Sequence, residues 1–439
     1  MISGYFLSIF RINMKSDVMT EDFLHFVWKT RLRGEPYFTT AGESLVILKA
    51  GDHNHDSGPD FTNAQVKIGE TLWAGNVEIH IRSSDWTRHR HQADQAYDSV
   101  ILHVVYEDDL PVRRRSGETI PAFALKEILH PGLYETYQYF LNNHLWIPCA
   151  FRLPEVRPVI IHDWLTALTV RRLERKALEL ENLLVYSGYD WNQAFFESMA
   201  ATLGFRINRQ PFEMMARSTP VSNLYKHKDN LFQVEAMLFG QSGLLETRFR
   251  GDYPKRLRKE YSHLKNKFGL KPVSGHLWKF MRLRPNNFPT IRLAQLAMLI
   301  HQREQFFGYI LENNEYDRLR QFFRIGVSDY WMEHYYFDRP SKNTGKTISL
   351  STVDLILINN VIPFLFLYGK LKGQPIFQDK AMELMDSIRP ETNSIVRRFG
   401  DFGISPVSAA QSQSLLELKS GFCDEKKCLD CRIGAELIR

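Results

Sequence analysis

At 439 residues the chain is too long for one ordinary domain, so two or three are expected. A hydrophobic content of 44% and an aromatic content of 13%, with 30 Phe and 18 Tyr, supply large cores and exclude a disordered chain. The net charge of +6 and a pI of about 8.9 permit a polyanionic partner without demanding one, and the four Cys exclude a disulfide-built secreted scaffold.

Residues 1–18 lack the basic start and small-residue cleavage site of a signal peptide. Met14 and Met19 follow closely, so this stretch reads as a tail or a mis-called start, and the cytoplasm is the default compartment. Residues 20–32 read as a helix with Phe23, Phe26, Val27 and Trp28 as its apolar stripe. Strand-like runs follow at 44–49, 61–68, 71–82, 99–106 and 122–125, separated by Gly, Asp and Asn clusters, with a short helix expected at 91–97. After about residue 130 nearly everything reads as helix: 159–186, 191–203, 210–217, 222–238, 257–268, 275–282, 291–303, 317–323, 351–371 and 378–385. No apolar run reaches the roughly 18–20 residues that span a bilayer, so no membrane partner is expected, and 355–367 reads as a buried helix or helix pair. The fold class is therefore α+β. A mixed-sheet α/β domain at 19–130 is followed by an all-helical domain at 131–420 and a Cys-rich tail at 421–439. Oligomeric state is not encoded in any feature of the sequence.

The chemistry-bearing residues concentrate near the sheet. Gly58, Pro59 and Asp60 head one strand-like run, and Glu78 and His80 lie on the next. Side chains two apart on a strand share a face, so Glu78 and His80 project together. If the two runs pair as a hairpin, Asp60 reaches that face. Two carboxylates there suit a hard divalent cation, which can activate water and neutralise charge on a phosphodiester. His53, His55, His80, His89, His91 and His103 crowd the same window, which also keeps a His-ligated metal in play. The bland alternative is a polar loop with solvated strand ends, although a charge on a strand interior flanked by Val77, Ile79 and Ile81 is expensive without a partner.

A Pro-Asp at the start of one strand, an acidic-x-basic pair on the next and a Glu on the preceding helix resemble the PD-(D/E)xK nuclease superfamily over residues 20–125. The resemblance implies that Asp60 and Glu78 ligate Mg2+ or Mn2+, that Glu21 is an auxiliary acid, and that His80 stands where the family has Lys and orients or deprotonates the attacking water. The whole chain also resembles a bacterial family described only as a domain of unknown function, through residues 21–28, 58–61, 75–80, 146–149, 284–289 and 427–431.

Cys423, Cys428 and Cys431 form a C-x4-C-x2-C tail, and Cys149 is the remaining thiol. Together they make a four-thiolate set suited to Zn2+ or a 4Fe-4S cluster. The alternative is four unrelated thiols, with Cys149 a small core hydrophobe. Some PD-(D/E)xK nucleases are similar in having one distant Cys and a C-terminal three-Cys group around an iron–sulfur cluster. Arg256, Arg258, Lys259 and Lys265, with Arg282 and Arg284 beyond, are interleaved with Phe249, Tyr253, Tyr261 and Phe268. Such a pattern can track phosphates and stack on bases of a nucleic acid, or it can be an ordinary solvated helix face. Arg171, Arg172, Arg175 and Lys176 read as the polar side of a long helix paired with its own Glu residues.

The leading expectation is a metal-dependent nuclease. Its rivals are a non-catalytic nucleic-acid or protein binder on a degenerate nuclease fold with a structural metal held by the four thiols, and a different hydrolase that uses the His cluster with Zn2+. No P-loop, G-x-S-x-G elbow or H-E-x-x-H motif occurs.

Overall fold

The computed structural model describes residues 19–438 apart from 31, 33–35, 55 and 304. The expectation for residues 1–18, and His55, lie outside the described residues. The chain forms two units. The first runs to Ile161 and includes Gly421–Arg439, so the boundary read at 130 falls inside it; the second is His162–Ser420.

The first unit opens with α1 (Glu21–Thr30), whose Phe23, Leu24, Phe26, Val27 and Trp28 are buried. Its sheet has seven strands: β1 (Tyr37–Phe38), β2 (Ser44–Lys49), β3 (Asp52–His53), β4 (Phe61–Ile68), β5 (Thr71–Arg82), β6 (Val100–Glu107) and β7 (Ala122–Ala124). The spatial order is β1-β2-β4-β5-β6-β7, with β3 also on β4. The early strands pair antiparallel, whereas β5–β6 and β6–β7 are parallel, so the sheet is mixed. A parallel step needs a crossover. Here the crossover is α2 (Asp85–Arg88) and two 3-10 turns, His91–Ala93 and Gln95–Tyr97, where the sequence suggests one short helix. Then α3 (Pro131–Asn142) places Tyr134 and Tyr137 against Phe23 of α1, with ring centroids 5.0 and 5.5 Å away.

One irregularity in the ladder decides which face Asp60 occupies. Ala64 lies opposite Gly75, but Phe61 lies opposite Val77, so two residues of β4, Thr62 and Asn63, stand against one of β5. Asn63 takes the left-handed conformation (φ 57°) that such a bulge requires and that Asn tolerates better than most residues. An unbroken ladder would set Asp60 opposite Ile79, on the apolar face. The bulge sets it opposite Glu78.

The second unit is built on helices and one small hairpin, His334–Tyr336 with Arg339–Pro340. Leu350–Lys372 is one helical run, 23 residues long with mean hydropathy 1.8. It passes by length and composition as a membrane span, which the sequence reading does not anticipate; 72% of its apolar window is buried inside the unit, where it acts as a core helix. A π turn at Leu357–Val361 interrupts it, at the Asn359–Asn360 pair. Arg172, expected on a solvated face, is buried instead and donates to Asn359 Oδ1 at 3.1 Å. Arg175 and Lys176 do pair with Glu179, as their spacing suggests.

Candidate metal centre

The bulge brings two carboxylates together through the backbone. Asp60 N donates to Glu78 Oε2 at 3.1 Å, and Ile79 N donates to Asp60 Oδ2 at 2.9 Å. Both described contacts of the Asp60 side chain fall on Oδ2, the second being His25 Nε2 at 3.3 Å. Glu78 is 4% exposed. Burial raises its pKa; His91 opposes the shift and the Asp60 charge adds to it. Glu21, one turn before His25 on α1, is likewise raised, by burial and then by the charge of Asp60, and it also senses His89 and His25. Glu21 therefore lies within electrostatic reach of Asp60, which is itself tied to Glu78. His25 joins them: burial alone would lower its pKa, but the Asp60 carboxylate outweighs burial and raises it.

His80 projects from β5 on the Glu78 face, as its spacing requires, and is 2% exposed. Its Nδ1 lies 2.8 Å from His103 Nε2, and its Nε2 lies 3.1 Å from His89 Nδ1 and 3.5 Å from Glu78 Oε1. His103 stands beside Glu78 in the parallel β5–β6 register, so it shares that face. Burial, and then the neighbouring imidazoles, push His80 down to about 2 and it stays neutral. His80 thus does not supply the point charge of the Lys whose place it takes. This corrects the role expected for it.

The crossover supplies the remaining histidines. Trp86 of α2 is buried with Val100, Val112 and Ile120. His89 ends the helix, Arg90 turns left-handed (φ 64°), and His91 begins the next turn. That turn aims His89 and His91 at one point: ligand atoms of His80, His89 and His91 all lie within 4.8 Å of one another. The His91 ring stacks on Tyr97 at 3.8 Å, and its Nε2 is 3.3 Å from Glu78 Oε1. The sequence marks His89, His91 and His103 as nearby donors but does not assign them to the ligand set. It gives no prominence to His25, although the i, i+4 spacing from Glu21 is a usable signal.

A family model for Protein of unknown function (DUF2851) matches residues 21–394. The chain belongs to that family. No curated protein and no solved structure matches the chain. The matched span takes in every carboxylate and histidine of this centre and Cys149, and stops short of Cys423, Cys428 and Cys431.

Those tail cysteines belong to the first unit, as does Cys149. Burial pushes Cys149 and Cys428 up to about 12, and each is raised further by the charge of Cys431, Cys428 also by that of Cys149. Three of the four thiols therefore lie within electrostatic reach of one another, but among the described residues no three of the cysteine sulfurs come within 4.8 Å of one another as the histidine atoms do. Cys423 enters the same turn, its carbonyl accepting from Lys426 N at 3.3 Å. Lys426 Nζ donates to Leu141 O at 2.5 Å and Asn143 O at 2.9 Å, fastening the tail to the end of α3. Gly434 lies so close to Cys428 that a Cβ would collide with the Cys428 carbonyl.

In the second unit Arg256, Arg258 and Lys259 are exposed on the helix Asp252–Phe268, Lys265 is half-buried, and Arg282 and Arg284 are exposed beyond it. The interleaved aromatics do not accompany them. Tyr261 is buried, and Phe249, Tyr253 and Phe268 pack on the core. Base stacking by these rings, expected from the sequence, is thereby corrected; the cations remain.

Proposed function

We propose that this protein is a metal-dependent nuclease that cleaves phosphodiester bonds of DNA or RNA at a centre formed by Glu21, Asp60 and Glu78. The reading is carried by the bulge-set pairing of Asp60 with Glu78 on adjacent strands, with Glu21 facing them from the preceding helix. It is supported by the order of helix, antiparallel strands and a parallel step, which is similar to the PD-(D/E)xK arrangement. The donor set suits Mg2+ or Mn2+: the donors are carboxylate oxygens, and Asp60 Oδ1 is left open by the described contacts. Such an ion supplies Lewis acidity toward a phosphoryl oxygen. The chain's own part is orientation and proton handling. Ile79 N and Asp60 N fix the two carboxylates, and His25, kept basic by Asp60, holds or releases a proton beside them. Arg256, Arg258, Lys259, Lys265, Arg282 and Arg284 would contact phosphates without reading sequence.

The thiols of Cys149, Cys423, Cys428 and Cys431 would hold a structural Zn2+ or 4Fe-4S cluster. Each thiol would release its proton on binding, as a coordinating thiol does. Metal and sulfide analysis of anaerobically purified protein separates the two. A nuclease assay in Mg2+ and in Mn2+ tests the activity: cleavage by the native chain and none by Glu78→Gln supports it. Equal cleavage by both, or none by the native chain, overturns it.

A further inference from the structure

We propose a second metal site beside the carboxylate pair, in which His80 Nε2, His89 Nδ1 and His91 Nε2 offer three ligands to a borderline divalent ion of the Zn2+ class, with Glu78 Oε1 at the edge of the group. Zinc bonds to imidazole nitrogen and carboxylate oxygen are about 2.0–2.2 Å, so the edges of a tetrahedral shell are about 3.3–3.5 Å. Nε2 of His80 lies 3.1 Å from His89 and 3.5 Å from Glu78, and His91 lies 3.3 Å from Glu78; the three histidine ligand atoms lie within 4.8 Å of one another, a group that leaves Glu78 outside it. His91 Nε2 is a buried atom that makes no hydrogen bond, although Glu78 Oε1 is within reach.

The surroundings fix the ligands. With its proton on Nδ1, His80 donates to His103 Nε2 and turns the lone pair of Nε2 toward His89 and Glu78. The stacked Tyr97 ring holds the plane of His91, and Trp86 meets the His91 ring edge-on at 5.4 Å between centroids. Three nitrogens and one oxygen favour Zn2+ over Mg2+, which prefers an oxygen shell and keeps its waters. Glu78 presents Oε1 to this site and Oε2 to Asp60 N, so it stands between the two positions. The inference rests on the histidine geometry and not on the nuclease reading.

The test is zinc content of the full chain together with the ligand type seen by X-ray absorption, because the four Cys offer a second place for zinc. The native protein should hold one zinc in a nitrogen and oxygen shell, apart from any sulfur-bound metal. His89 is exposed, so His89→Ala spares the core. It should weaken that zinc by more than the roughly 10–100-fold that loss of an outer-shell partner costs, with circular dichroism unchanged. His91→Ala should do the same, and Asp60→Asn should keep the zinc. A nitrogen shell that survives His89→Ala and His91→Ala, or zinc found only on sulfur, overturns the inference. Bound zinc with no cleavage of nucleic acid supports it and overturns only the nuclease reading.

Discussion

At the scale of single residues, burial decides which groups can carry charge. His80 is neutral at any working pH, so the basicity near the carboxylates resides at His25. His25→Ala should therefore lower any cleavage rate and flatten its pH profile, while His25→Gln keeps the packing and reproduces the loss. A second buried group speaks to stability. Burial raises Glu235 to about 7, against hydrogen bonds from Tyr253 and Ser328 that pull it down. The folded chain thus holds this proton more tightly than the unfolded chain. The contribution to stability is complete below about 4.5 and is lost as pH rises through about 7, a total of roughly 3 kcal/mol. Glu235→Gln should remove that loss, read as a flatter dependence of Tm on pH between 5 and 8. Asp60 and Glu78 are legible as site residues because Pro-Asp and Glu-x-His are strand-head and strand-face patterns. His25 is not, because the apolar stripe of α1 draws the reading toward packing. The aim of His89 and His91 is hidden too, since it depends on the left-handed turn at Arg90, which no periodicity encodes.

At the scale of elements, the β4 bulge makes a sharp prediction. Deleting Asn63 leaves Thr62 alone opposite Asn76, so the ladder becomes regular while Phe61 stays opposite Val77 and Asp60 stays opposite Glu78. Carboxylate-dependent cleavage should therefore persist, with strand content by circular dichroism and zinc on the histidines; loss of cleavage alone would contradict this register. Packing between helices gives another. In Gly240→Ala the new Cβ would meet the Tyr261 ring, which its hydroxyl pins to Gln241 Oε1 at 2.7 Å. Helix propensity would gain about 1 kcal/mol, but overpacking costs about 1–3 kcal/mol, so denaturant unfolding should show net destabilisation. The runs at 44–49, 61–68 and 71–82 are legible to the residue, because period-two alternation ends at clear Gly and Asp punctuation. The run at 222–238 reads as one helix, yet it breaks before Asn230, whose side chain accepts from Gln233 N to start a new one. Residues 275–282 also read as helix. Only Gly275–Leu277 makes a 3-10 turn, because the backbones of Gly243 and Gly275 abut and Arg282 is left-handed.

At the scale of the molecule, the division into units does not follow chain order. The first unit is completed by a segment that follows the whole second unit in sequence, and Phe422, Cys428, Cys431, Ile433, Leu437 and Ile438 are buried there. Ending the chain at Ser420 should weaken hydrogen-exchange protection in residues 19–161 and leave 162–420 nearly unchanged; equal loss in both would contradict the division. The tail is legible as a thiol cluster from its spacing, but its home in the first unit is not, since Cys149 is the sole local hint. The parallel step between β5 and β6 carries a further consequence. His80 lies before the crossover, and His89 and His91 lie on it, so the three meet only after a non-local strand pairing has closed. A chain still searching for that pairing presents three scattered imidazoles to a metal, and a paired one presents a chelate. Uptake of zinc during refolding would therefore time the moment at which the antiparallel meander acquires its parallel neighbour.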